Sequence, residues 1–138
     1  LVEMGQVEIL EEESLRLQTL RDRLDKGLSG IELAVSNNRG TNRLPNTSHF
    51  SFPYVEGASL LTALGRKIAV SNGSACNSAS VAPSHVLISM GIERSLAYAS
   101  IRLSIGRFTT EAEIDMAIEI ISTTVADQRK NNIMWERR

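Results

Sequence analysis

One cysteine in a run of small residues is the first place in this chain where covalent chemistry could be carried out. Cys76 sits in Ser71-Asn72-Gly73-Ser74-Ala75-Cys76-Asn77-Ser78-Ala79-Ser80, a segment with no charge and no large side chain. A thiol on such a tether is sterically accessible and can swing, which suits a nucleophile that must visit two places. Its reactive form is the thiolate, so it needs a lowered pKa or a base supplied from elsewhere. The competing fate of a lone cysteine is burial as a small apolar residue. No residue of the segment can bury a large apolar surface, so its composition predicts a loop more mobile than the sheet.

Arg102 is the second candidate. In Ser100-Ile101-Arg102-Leu103-Ser104-Ile105 apolar and polar residues alternate, which puts Ser100, Arg102 and Ser104 on one face of a strand and the aliphatic residues on the other. A planar guanidinium on a rigid strand is well suited to grip a carboxylate through two parallel hydrogen bonds. On pattern alone a solvated or ion-paired edge arginine is the commoner outcome. The two histidines are weaker signals: His49 falls on a strand, where a hydrogen-bonded structural role is expected, and His85 falls early in a helix, exposed. Trp135 is either a packing residue or an interface anchor.

These residues need a scaffold, and the sequence supplies the elements of one. Leu10, Leu17, Leu20, Leu24 and Leu28 recur near helical spacing, predicting an amphipathic helix from Glu8 to about Gly27 that Gly27 and Gly30 close. The charges between Glu11 and Asp25 should form its solvated face. Ile31 to Val35 alternates like a strand, and Ser36 to Asn42 has loop composition. Strands are expected at Thr47–Phe52, ended by Pro53, at Ile68–Val70 and at Ser100–Ile105. Helices are expected at Glu56–Leu64, stopped by Gly65, and at Pro83–Met90, with Pro in the first turn and Gly91 after it. The last helix should run from Thr110 to about Lys130, with Thr110 and Glu113 as a capping box and Ile114, Ala117, Ile118, Ile121 and Val125 as its apolar stripe. Burying these stripes together predicts an α+β, two-layer domain: a short, mostly antiparallel sheet with helices on one face.

The totals bound the function. The chain has 138 residues, 42% of them hydrophobic and 22% charged, which suits a single folded domain over 1–138. A formal net charge of -1 gives no basic footprint for nucleic acid. No apolar stretch approaches the ~20 residues of a membrane span, and the acidic Glu3 and Glu8 speak against a signal peptide. A single cysteine excludes an internal disulfide, fits a reducing compartment, and with two distant histidines leaves no metal-site pattern. Leu1-Val2-Glu3-Met4 reads as neither a translation start nor a targeting segment, so the chain is expected to belong to a longer protein.

Taken together, three blocks in order resemble one family. Ser71 to Ser78 is similar to the active-site cysteine loop of the long-loop class of cysteine desulfurases. Ser100 to Thr110, reading Ser-Ile-Arg-Leu-Ser-Ile-Gly-Arg-Phe-Thr-Thr, resembles the family's downstream signature. Arg43-Leu44-Pro45-Asn46, Ser51-Phe52 and Val55-Glu56-Gly57 resemble an upstream one. The resemblance covers nearly all of this chain and roughly the last third of the family's length, so it implies the C-terminal small domain of a fold-type-I pyridoxal-phosphate enzyme. The implied activity converts L-cysteine to L-alanine, with the sulfur carried as a persulfide on Cys76 to an acceptor, often an iron-sulfur scaffold protein. Arg102 would hold the substrate carboxylate.

The family's Schiff-base lysine follows a histidine in the large domain; here Lys26, Lys67 and Lys130 do not. Pyridoxal 5'-phosphate is therefore expected in the full-length enzyme and not on this chain alone. The resemblance further implies a homodimer, while the charge and hydropathy of the chain give no nucleic-acid or membrane partner. The expected location is cytoplasmic, an organelle matrix being the alternative. A stand-alone sulfur-relay or interaction module without cofactor chemistry is the competing function, and a purely structural domain the third.

Overall fold

A computed structural model describes residues 4–38, 40, 43–71 and 84–138. Helix α1 (Met4–Ser29) starts the fold, and Leu20, Leu24 and Leu28, four residues apart on one stripe, are buried to 4%, 2% and 0% exposure. The stripe fails at its start: Leu10 is 64% exposed, because no described element packs against the first half of the helix. Gly27 does not close α1. It lies within the helix where α5 (Glu111–Lys130) crosses, and a Cβ there would come within 2.3 Å of the Ile118 side chain. The residue buys close helix approach rather than a stop.

After α1 the chain turns where the alternation predicted a strand. Ile31 N–H donates to Leu28 O and Ala34 N–H to Ile31 O, and Leu33 sits at φ 57°, so only Val35–Ser36 is extended as β1. Five alternating residues are too few to outweigh the hydrogen-bonded turns that follow a helix end. β2 (Thr47–Ser51) follows, then α2 (Gly57–Leu64), capped by Glu56. β3 (Val70–Ser71) is set slightly later than expected. Next come α3 (His85–Ser89), α4 (Arg94–Tyr98) and β4 (Ser100–Ser104). The chain closes with α5 and α6 (Ile133–Glu136). The single-turn helices α4 and α6 were not foreseen, since so few residues carry no readable period. The predicted capping box is present in full: Glu113 N–H donates to Thr110 Oγ1 and Thr110 N–H to Glu113 Oε2.

The four strands form one antiparallel sheet in the order β1-β2-β4-β3. Leu103 pairs with Ser48 and Val70, and Ile101 with Phe50, so these residues share one face. Against it pack α1, α2 and α5, burying Phe50, Phe52, Leu60, Leu64, Ile101, Ile121 and Val125 to 0% exposure. Each such side chain contributes about 1.5–3 kcal/mol on burial. The architecture is the two-layer α+β arrangement expected. A smaller cluster of Leu87, Ile92 and Ala97 holds α3 to α4.

Not all charges of α1 are solvated. Arg21 is 6% exposed and donates to Leu44 O at 3.2 Å, while Asp25 accepts from both Arg43 and Ser48 Oγ. Both contacts anchor the segment before β2, so part of this helix face is a polar clasp rather than a solvated surface. At the other end, buried Arg129 donates to Pro53 O and Glu32 O at 3.1 and 2.6 Å, and Trp135 packs over it at 4.4 Å. Trp135 is thus a packing residue, flanked also by Tyr54 and Arg138.

Candidate functional site

The second face of the sheet is polar, and this is where the register collects chemistry. Odd and even positions of paired strands keep to opposite faces. His49 is paired with Arg102, and Arg102 with Ser71 on its other side. Asn37, next to the end of β1, reaches the same row by donating its backbone N–H to His49 O at 2.9 Å. A row Asn37–His49–Arg102–Ser71 therefore runs across the sheet. Below it lie Ser51 and Ser100, paired with each other and both buried; Ser100 Oγ donates to Ala97 O at 2.7 Å.

Arg102 is exposed and, among the described residues, makes no ion pair or hydrogen bond through its guanidinium. Its strand neighbours Ile101 and Leu103 are buried at 0% and 5%, so the strand that carries it is pinned by the core. A fixed cation on a polar face with no carboxylate partner is a ready anion site. The expectation of an arginine projecting from the polar face holds.

His49 is half-buried and held from several directions. Its backbone N–H donates to Asn38 Oδ1 at 2.8 Å, and its ring Nδ1 faces Asn37 Nδ2 at 3.0 Å. Asn37 Nδ2 also donates to Ser51 Oγ at 2.8 Å. Burial pushes the imidazole pKa down, and the Arg102 charge across the strand pushes it further in the same direction. The hydrogen-bonded histidine expected here is present; the adjacency to Arg102 and the clamp by Asn37 were not foreseen. Asn37 read as loop composition, and only cross-strand register brings it to the row. His85 is exposed on α3, as expected.

Cys76 and its loop, including the expectation of a mobile segment, lie outside the described residues. A groove of about 530 Å³ elsewhere is lined by Tyr54, Glu56, Ser59, Gln128, Asn131, Asn132 and Ile133, and does not include Arg102. Among the described residues no group of three or more His, Cys, Asp or Glu is placed to hold a metal ion. None of the described helices is long and apolar enough to cross a membrane.

The described residues form an antiparallel four-stranded sheet with one apolar and one polar face, the latter carrying an arginine that has no side-chain partner among the described residues. The family is shown by sequence: residues 1–116 match aminotransferase class-V, and the chain belongs to that family. It is 48% identical over 129 residues to the cysteine desulfurase IscS of Pasteurella multocida, covering 94% of this chain and 32% of that protein. It is 47% identical, also over 129 residues, to the protein of the same name from Dechloromonas aromatica. The fold matches the solved structure of a NifS-like protein with a TM-score of 0.74 and 32% identity, over 88% of this chain and 30% of that one. A NifS-like protein from Rickettsia africae gives the same TM-score at 26% identity. The chain thus spans about a third of the length of the curated relatives it matches.

Proposed function

We propose that this chain is the C-terminal small domain of a cysteine desulfurase, which converts L-cysteine to L-alanine and takes up the sulfur as a persulfide on Cys76. The observation that carries the reading is Arg102 on the polar face, without a partner among the described residues and in register with the strand that leads into the Cys76 segment. The likeness to cysteine desulfurases over 94% of the chain supports it. Arg102 holds the carboxylate of the amino-acid substrate through its guanidinium fork, fixing the direction in which the substrate sulfur points. Cys76, on its short tether from Ser71, supplies the thiolate that accepts that sulfur and then hands it to an acceptor protein of iron-sulfur cluster assembly. The complete enzyme is a homodimer in the cytoplasm.

Pyridoxal 5'-phosphate would serve as the electron sink for this chemistry. The residues of this chain do not fit as its anchor. Lys26, Lys67 and Lys130 are all exposed, on α1, after α2 and at the end of α5, and none lies in the row with Arg102. The cofactor lysine therefore belongs to the remainder of the longer protein, and this domain contributes the substrate grip and the sulfur carrier. A stand-alone relay is not favoured, since the relatives are desulfurases about three times the length matched here.

The test is Cys76→Ser in the full-length enzyme. Serine keeps the shape but its oxygen is not a thiolate-like nucleophile at neutral pH. Peptide mass spectrometry after exposure to L-cysteine should show one extra sulfur on the wild-type Cys76 peptide, removable by reductant, and none in the variant. Alanine release should collapse, and the thermal midpoint should hold, the stability change staying within about 0.5 kcal/mol. Alanine formation by the variant at the wild-type rate would refute the assignment.

A further inference from the structure

We propose that His49 is a second hydrogen-bond donor for the substrate carboxylate, acting beside Arg102 from the neighbouring strand. The inference rests on the reading of Arg102 as the carboxylate clamp and adds a specificity-determining residue to it.

The argument begins with Asn37. Its amide nitrogen has two hydrogens and stands 2.8 Å from Ser51 Oγ and 3.0 Å from His49 Nδ1; an amide nitrogen only donates, so a hydrogen bond in this contact requires Nδ1 to accept. A ring nitrogen that accepts a hydrogen bond carries no proton, so in neutral imidazole the proton is on Nε2. Protonating Nδ1 as well would set a second N–H against the Asn37 amide, so the same contact keeps the ring uncharged. Burial and the Arg102 charge act in the same direction. The result is a neutral Nε2–H donor in a fixed tautomer.

Its position is equally constrained. Both backbone groups of His49 are bound, the N–H to Asn38 Oδ1 at 2.8 Å and the C=O to Asn37 N–H at 2.9 Å. Directly paired residues on one face of an antiparallel sheet have Cβ atoms about 4.5–5.5 Å apart, which makes His49 and Arg102 adjacent on the polar face. Among the described residues, Nε2 of the half-buried ring has no hydrogen-bond partner, although Nδ1 is clamped. A carboxylate has about four lone-pair sites. The guanidinium fork takes two of them, which leaves acceptors for a neutral donor alongside. A second cation beside Arg102 would repel it; a neutral imidazole N–H does not. Together the pair distinguishes an acid, which accepts at both oxygens, from its amide, whose NH2 would confront two donors.

The experiment uses the full-length enzyme and two probes, L-alanine and L-alaninamide, with affinities measured by calorimetry and kcat and KM for L-cysteine measured in parallel. His49→Leu should weaken L-alanine about tenfold, the loss of one donor to a charged acceptor, and leave L-alaninamide nearly unchanged. KM should rise by a similar factor while kcat stays within about twofold. His49→Gln, whose amide reaches roughly as far as Nε2, should recover most of the loss. Should His49→Leu fail to fold, His49→Ser is polar and too short to reach, and gives the same readout. L-alanine binding unchanged, both probes weakened equally, or no recovery with Gln overturns the proposal. Arg102→Gln, which removes the charge, separates the two readings. If it abolishes the preference for acid over amide and His49→Leu does not, His49 alone is wrongly assigned. If Arg102→Gln leaves the preference intact, the carboxylate clamp itself is wrong.

Discussion

His49 shows how a single side chain takes its chemistry from its neighbours. Nothing in the dipeptide context of a strand histidine says whether it is charged. Here burial comes first and the Arg102 charge second, and both hold the folded pKa below the ordinary 6.5. The sign for stability follows. A group with a depressed folded pKa of this cationic kind is protonated more readily in the unfolded chain, so the unfolded state gains protons first as pH falls. The contribution of His49 is therefore intact above about pH 6.5 and is lost as pH drops through that value toward the folded pKa. Denaturant titrations at pH 7.5 and 5.5 should show a larger loss for wild type than for His49→Gln. An equal loss in both proteins would remove the burial argument. Arg102 differs in kind: it needs no tuning, only a rigid strand to aim it, and Ile101 and Leu103 supply that by their burial.

At the scale of elements, close approach matters more than propensity. Gly57 opens α2, where alanine would ordinarily be the better helix former by about 1 kcal/mol. A Cβ at this position would clash with the backbone carbonyl of Tyr98, at the C-terminal end of α4, whose atoms cannot simply rotate away. The clash wins. Gly57→Ala should destabilise the fold by roughly 1–3 kcal/mol, read as a lower denaturation midpoint; a stabilised variant would show that α2 can move off α4. The same logic explains Gly27, where α1 and α5 come together, so this glycine near a helix end is a site of close packing and not a stop. The polar clasp of Arg21, Asp25, Arg43 and Ser48 is a third instance. A charged helix face acquires partners only when the segment before β2 folds back over it.

At the scale of the molecule, one sheet has two occupations. Its apolar face is filled by α1, α2 and α5, which accounts for the core. Its polar face carries the row from Asn37 to Ser71 and holds no lysine. On the proposed reading this face grips an acid, and among the described residues no lysine lies on it to anchor an aldehyde cofactor. The chain on its own should accordingly form no stoichiometric adduct with pyridoxal 5'-phosphate. The check is the visible spectrum before and after borohydride, followed by peptide mapping. A reducible adduct on one of Lys26, Lys67 or Lys130 would show that the domain carries its own cofactor site. The family match covers residues 1–116, and the chain spans about a third of the length of the curated relatives it matches.

What the sequence determined by itself was whatever is written in local pattern. The capping box at Thr110 and Glu113, the alternation through Arg102, the α2 boundary at Gly65 and the two-layer α+β class all follow from spacings within a few residues, and local hydrogen bonds and pleat geometry enforce them regardless of the rest of the fold. The resemblance of Ser71–Ser78 and Ser100–Thr110 to one family was legible for the same reason, as contiguous blocks. What only the tertiary structure decided lies between segments distant in sequence. Asn37 and Arg102 are 65 positions apart and share a row because strand register, set by which face must bury Phe50 and Ile101, aligns them on either side of His49. The partners of Arg21 and Arg129 belong here too. Each depends on a backbone carbonyl or side chain brought up from elsewhere, and a one-dimensional pattern holds no record of such a neighbour.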